Sequence, residues 1–261
     1  MGWNGKARGK ATALDPVRQA RIDLAAAHRL AVMHGFSEGI CNHLTMTVPG
    51  ATDHFFLIPY GLHWSEVSAS SFMIVDYDGR TIEGEGEPER SAFCIHAPIH
   101  RLRPDCVCVL HTHMPYASAL ARLDEPQLQT IGQTEVKMAA FMAYDDAYTG
   151  LAEDPAEGER LAACMAPDKT ILMMANHGVI VTGRNIAEAY DRLYYLERVC
   201  QAQLFAMWTG RKLKALAPPV LEKTLEQFAR TKALGNKPAP CEIHYAALKR
   251  LLDRKEPDYA D

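Results

Sequence analysis

Apolar residues fall at helical spacing through Val17, Leu24, Ala27 and Ala31, between Asp15-Pro16 and Gly35. An N-cap, a proline at the first position and a glycine stop predict an amphipathic helix there. Shorter apolar runs follow, LTMTV, HFFLIP at 54–59 and FMIVD at 72–76, separated by Gly-rich or Ser-rich breaks that read as loops between strands. Asp78-Gly79 lies between two extended stretches and predicts a hairpin, so the sheet is at least partly antiparallel. From Ser91 to Arg101 the spacing of Phe93, His96, Ala97 and His100 is helical, with Pro98 expected to kink or shorten the helix.

Residues 105–113 read as a strand ending in polar residues, and MPYASALARL starts another helix. TILMMANHG and VIVTG are two further strands. Asn185 and Glu188 form a capping-box pattern before a long helix that runs through Leu193 and Leu204 to Gly210. A proline-containing link, APPVLEKTLEQF, then leads to the final segment, HYAALKRLLDRKEPDYAD. The order predicts one α/β domain with a mostly antiparallel sheet over residues 15–215. An N-terminal extension occupies 1–14. A C-terminal extension, 216–261, packs on the domain or on a neighbouring subunit.

With 48% hydrophobic and 23% charged residues among 261, the chain has the composition of a globular protein. A formal charge of -4 without a basic block argues against nucleic acid as a partner. No apolar run is long enough for a membrane span and the start has no apolar leader core, so the expected setting is cytoplasmic. Seven cysteines without a CxxC pair argue against a disulfide framework, and Cys106 and Cys108 read as strand thiols.

The candidate chemistry lies at strand ends. In His111-Thr112-His113 the two imidazoles project from one face, as a bidentate metal site needs. His177, in ANHG, ends another strand beside a tight turn. Three neutral imidazoles would suit Zn²⁺, or Mn²⁺, Fe²⁺ or Co²⁺, with a position left open for water or substrate. A histidine pair at a strand end is as often a surface or core feature.

The segments RPDCVCVLHTHMPYASALA and ILMMANHGVIVTG resemble the two metal-binding segments of the class II aldolase/adducin family. GICNHLTMTV and LIPYGLHWSEVSASSFMIVDYDGRTIEG resemble that family's early Asn-containing turn, Gly loop and hairpin, so the likeness runs from about Asp15 to Trp208. It implies a three-layer αβα sandwich around a mostly antiparallel central sheet and a homotetramer with active sites between subunits. It also implies metal ligation by His111, His113 and His177, and substrate contacts from Asn42 and Gly61. The activity implied is that of a metal-dependent lyase, splitting a carbon–carbon bond by aldol cleavage or decarboxylation through a metal-stabilised enolate.

The departures from the family pattern are specific. The catalytic glutamate of the aldolases aligns with Ala92, in the stretch Arg90-Ser91-Ala92, and alanine cannot transfer a proton. Glu89, in the row Glu83, Glu85, Glu87, Glu89, is read as part of a solvated segment and not as catalytic. The phosphate pocket of the sugar-phosphate members is altered at Cys41, Tyr60 and Arg90. Arg90 offers a fork for a substrate carboxylate, with Ser91 beside it, or is a surface arginine.

His96, one turn after Ala92, is the candidate proton carrier, or else a structural histidine; His100 reads as structural. Tyr144 and Tyr148 can donate to a substrate oxygen or pack. Tyr245 and Tyr259 are expected to reach a neighbour's site, whereas Trp3, Trp64 and Trp208 serve packing. The leading expectation is a metal-dependent lyase for a small hydroxy, keto or aromatic carboxylate. A non-catalytic adducin-like interaction domain and a non-haem iron oxygenase are the alternatives.

Overall fold

The computed structural model describes residues 15–261 except 234, 236 and 237. The N-terminal extension 1–14, and Trp3 with it, lies outside the described residues. Helix α1 (Pro16–His34) starts where Asp15 accepts the N–H of Arg18 and ends at Gly35, whose left-handed φ of 75° closes the cap. Strands β1 (His43–Val48), β2 (Ala51–Leu57), β3 (Met73–Asp76) and β4 (Thr81–Glu83) follow, with the β3–β4 hairpin turning at Asp78-Gly79. Next come α2 (Arg90–Leu102), β5 (Cys108–Thr112), α3 (Pro115–Leu120), α4 (Gln133–Ala139), β6 (Met142–Asp145) and α5 (Pro155–Cys164). Strands β7 (Ile171–Met174) and β8 (Val179–Gly183) precede α6 (Ile186–Trp208), α7 (Pro218–Ala233) and α8 (Pro240–Lys255).

The eight strands form one sheet in the order β4-β3-β2-β1-β5-β8-β7-β6. Every pairing is antiparallel except β6 with β7. Alternation along β5 shows how the layers are built: Cys108 and Leu110 point into the core shared with α1, α6 and α8, while Val109 points into the core shared with α2 and α5. The architecture is therefore the expected three-layer αβα sandwich around a mostly antiparallel sheet.

Three segments depart from the sequence reading. Residues 124–168, between the helix begun at MPYASALARL and the strand TILMMANHG, contain α4, β6 and α5, which the hydrophobic pattern does not announce. Asp154 caps α5 and Pro155 starts it, but Gly158 interrupts its helical pattern. That glycine is where α5 meets α2: a Cβ there would stand 2.3 Å from the Cys94 carbonyl oxygen. Pro98, lacking an N–H, leaves that carbonyl without its helical partner, and α2 nevertheless runs on to Leu102.

The proline-containing link is helix α7, because prolines in a first turn are compatible with helix. The C-terminal helix α8 folds back on its own domain. The Tyr245 hydroxyl donates to the Asp23 carbonyl at 2.6 Å, and Arg29 pairs with Asp258 at 2.7 Å. Tyr245 and Tyr259 are buried in this chain's own core, which corrects the expectation that they reach a neighbour's site. Among the described residues, no helix is long and apolar enough to cross a membrane.

Candidate metal centre

His111 is the penultimate residue of β5, His113 follows that strand, and His177 sits in the turn joining β7 to β8. Pairing of β5 with β8 brings the two strand ends together. One potential ligand atom from each histidine then lies within 4.8 Å of the other two, and ring centroids are 4.8–4.9 Å apart. Backbone conformation makes the approach possible. Asn176 adopts a left-handed φ of 56°, and Gly178 lies so close to β5 that a Cβ would stand 2.6 Å from the Thr112 oxygen and 2.7 Å from the His113 ring.

The outer nitrogens are spoken for. His111 Nδ1–H donates to the Val179 carbonyl at 3.0 Å, and His113 Nδ1–H donates to the Glu38 carboxylate. Each bond leaves the Nε2 lone pair free, the orienting arrangement typical of metal-binding histidines. His113 Nε2 is buried with no partner among the described residues, so its donor requirement is open. Burial pushes His111 well below the ordinary histidine range, and burial with the neighbouring His113 lowers His177 to about 4. Both shifts favour the neutral ring, the form that ligates, and three imidazoles fit a divalent first-row ion.

Behind this cluster lies a buried polar layer between the sheet and α2. His43, opposite His111 in the β1–β5 register, has its ring centroid 5.2 Å from that of His111. Its Nε2–H donates to Glu89 at 3.0 Å, and its Nδ1 faces His96 Nε2 at 3.4 Å. Thr45 Oγ1 bridges His96 Nδ1 at 2.7 Å and His100 Nε2 at 2.8 Å, while His100 Nδ1–H donates to the Cys106 carbonyl. Burial would raise the Glu89 carboxyl; the His43 hydrogen bond and charge, the Ser91 hydroxyl and the Ala92 N–H outweigh it and hold the group at about 2.

Several candidate residues take other positions than expected. His96 is wholly buried and reaches the cluster only through His43, so it does not face the three histidines directly. Tyr144 packs on the opposite face of the sheet and its hydroxyl accepts the Leu128 N–H, because it shares side-chain parity with Met142 on β6. The tyrosine near the cluster is Tyr148, 6.1 Å from His177 between centroids. Arg90 directs Nε and Nη2 at the Glu153 carbonyl, so its fork is engaged. Ser91 donates to Glu89 and touches His43 Nε2 at 3.2 Å. Asn42, at a left-handed φ of 78°, accepts the His113 N–H, and its buried Nδ2 has no partner among the described residues. Gly61 is exposed at a φ of 94°, and Ala92 is buried against β2 and β3.

The sequence reading missed Glu38, His43 and Arg122. Arg122 Nη1 donates to the Ser118 and His177 carbonyls, and the guanidinium has no carboxylate partner among the described residues. The row Glu83 to Glu89 concealed Glu89 as a helix N-cap, a role visible in the Glu-x-x-Ala spacing only once the start of α2 is known.

The sequence profile of the class II aldolase and adducin N-terminal domain matches residues 22–204. The chain belongs to the class II aldolase and adducin family. A Caulobacter vibrioides protein, named provisionally as an aldolase class 2 protein, is 34% identical over 93% of this chain and 92% of its own length. Human beta-adducin is 30% identical over 90% of this chain, which spans 34% of that protein. An aldolase II superfamily protein from Pseudomonas syringae superposes with a TM-score of 0.86 at 33% identity, covering 98% of this chain and 100% of that one. L-fuculose 1-phosphate aldolase from Glaciozyma antarctica shares the fold, with a TM-score of 0.75 at 23% identity over 96% of each chain. The family thus includes aldolases and adducins, and the three-histidine cluster lies inside the matched region.

Proposed function

We propose that this family member is a divalent-metal-dependent lyase that splits a carbon–carbon bond, by aldol cleavage or decarboxylation, in a small hydroxy, keto or aromatic carboxylate. The observation that carries the reading is the convergence of His111, His113 and His177 with His111 Nε2 and His113 Nε2 freed by hydrogen bonds on their other nitrogens. The ion, Zn²⁺ in the first instance, supplies a Lewis acid for the negative charge that develops on a substrate oxygen.

The chain's own residues supply binding and proton handling. Asn42 Nδ2 and the free edge of the Arg122 guanidinium are donors beside the histidines, and an unpaired arginine there supports a carboxylate substrate. Arg90 no longer supports it, because the Glu153 carbonyl occupies its fork. With Ala92 in place of the family's glutamate, His43 is the ionisable group next to His111, and Glu89 holds a proton on its Nε2. Assembly as a homotetramer with active sites between subunits belongs to the same proposal and rests on the family resemblance, and a cytoplasmic setting is proposed with it.

A second reading, a non-catalytic interaction domain, draws support from the identity to beta-adducin together with Ala92. Elemental analysis of untagged protein beside His113→Ala and His177→Ala, followed by a screen of hydroxy, keto and aromatic carboxylates, separates the two. About one zinc or manganese per chain, lost in both variants, together with product release from one of the acids, is the expected result. Absence of metal after reconstitution overturns the lyase and leaves the interaction domain, and stoichiometric iron with oxygen consumption points to an oxygenase.

A further inference from the structure

A second pocket, of about 410 Å³, opens between α4, α6 and α8 and shares no residue with the histidine cluster. Its volume falls in the range of small-molecule sites. Tyr194, Tyr195 and His244 wall it, with ring centroids 5.1–5.4 Å apart. Val199 and Ala202 add an apolar surface.

The charges in this pocket do not all cancel. Asp191 is engaged, accepting from His244 Nδ1–H at 2.8 Å and from Lys137 at 3.4 Å. Glu135 is only 8% exposed, yet its carboxylate accepts no hydrogen bond from any described residue. It has room because residue 132 is glycine, where a Cβ would stand 2.5 Å from Glu135 Oε2. A carboxylate that keeps only a narrow opening to water and has no protein donor is an acceptor that a donor or a cation entering the pocket can reach. Arg198 lies over the Tyr194 ring at 5.9 Å, donates to Gln201, and has no carboxylate partner among the described residues. One negative and one positive group are therefore left over around an aromatic box.

We propose that this pocket binds a small zwitterion, an amine and a carboxylate on an apolar body as in a free α-amino acid. Glu135 receives the ammonium group, Arg198 the carboxylate, and the tyrosines enclose the body. Each contact is a charge-assisted hydrogen bond, and the aromatic walls favour the cationic end as well.

Calorimetric titration of the full-length, zinc-loaded protein with L-phenylalanine tests this, with phenethylamine and 3-phenylpropionate as probes lacking one charge each. Phenylalanine is expected to bind, and each half-probe to bind weaker by about tenfold or more. Glu135→Gln and Arg198→Met should each weaken phenylalanine by a similar factor; Arg198 is on the surface, so its variant keeps the fold even if Glu135→Gln does not. His113→Ala should leave binding unchanged. Binding lost in His113→Ala would mean chelation at the metal centre and would overturn the proposal. So would binding unaffected by both pocket variants, or none at about 10 mM ligand.

Discussion

Glu38 accepts the Nδ1–H of His113, which leaves Nε2 as the nitrogen of that ring without a protein partner among the described residues. A largely exposed carboxylate thus fixes the tautomer of a half-buried histidine. Glu38→Gln weakens that hold without disturbing the core, since the Glu38 side chain is 60% exposed. Metal affinity is expected to fall about 10- to 100-fold, with the thermal midpoint of the metal-free protein unchanged. Competition against a chromophoric chelator measures the first and a melt the second; unchanged affinity would show that Glu38 orients nothing.

Gly178 sets the approach of the β7–β8 turn to His113. In Gly178→Ala the new methyl meets the Thr112 oxygen and the His113 ring at distances no packed atom tolerates. The turn must move, separating His177 from its two partners. Metal affinity is expected to drop by more than about tenfold, while stability falls by only about 1–3 kcal/mol. An affinity equal to wild type, read in the same chelator assay, contradicts the geometry.

Thr45 joins His96 to His100 through one buried hydroxyl. Thr45→Val keeps the shape and removes both bonds, leaving two buried ring nitrogens unpaired. The expected loss is about 2–4 kcal/mol in urea unfolding. A loss under about 0.5 kcal/mol would mean that the layer is not held by this hydroxyl.

Burial lowers His28 and His100 to about 4, with hydrogen bonds to the Leu24 and Cys106 carbonyls opposing the shift in each case. Unfolded, both titrate near 6.5. Between these values the unfolded chain binds more protons than the folded one, so stability is full above pH 6.5 and is lost as pH falls toward 4. At pH 5 each histidine accounts for about 2 kcal/mol. Urea midpoints at pH 7 and pH 5 should differ accordingly, and His28→Phe should reduce the difference; a flat profile refutes the assignment.

The periodicity of the chain determined α1, the β3–β4 hairpin and α6, because each is bounded by a local signal: Asp15-Pro16 and Gly35, Asp78-Gly79, or Asn185 with Glu188. His111, His113 and His177 were legible for a similar reason, since two share a strand end and the third lies in a Gly turn, and the segments around them resemble those of the family.

Tertiary structure decided everything that depends on which face a side chain presents or which distant group reaches it. Tyr144 went to the far side of the sheet because β6 pairs parallel to β7 in a register that no local pattern encodes. Glu38 and His113 are 75 residues apart in sequence, and His43 and Glu89 lie on different elements. The sequence by itself put His111 and His113 on one face of a strand end, and the family resemblance added His177 to them. Only the packing of β1 and α2 against β5 decided that a partly buried carboxylate, Glu89, and a fourth histidine, His43, would stand behind them, because such contacts join residues that share no local spacing.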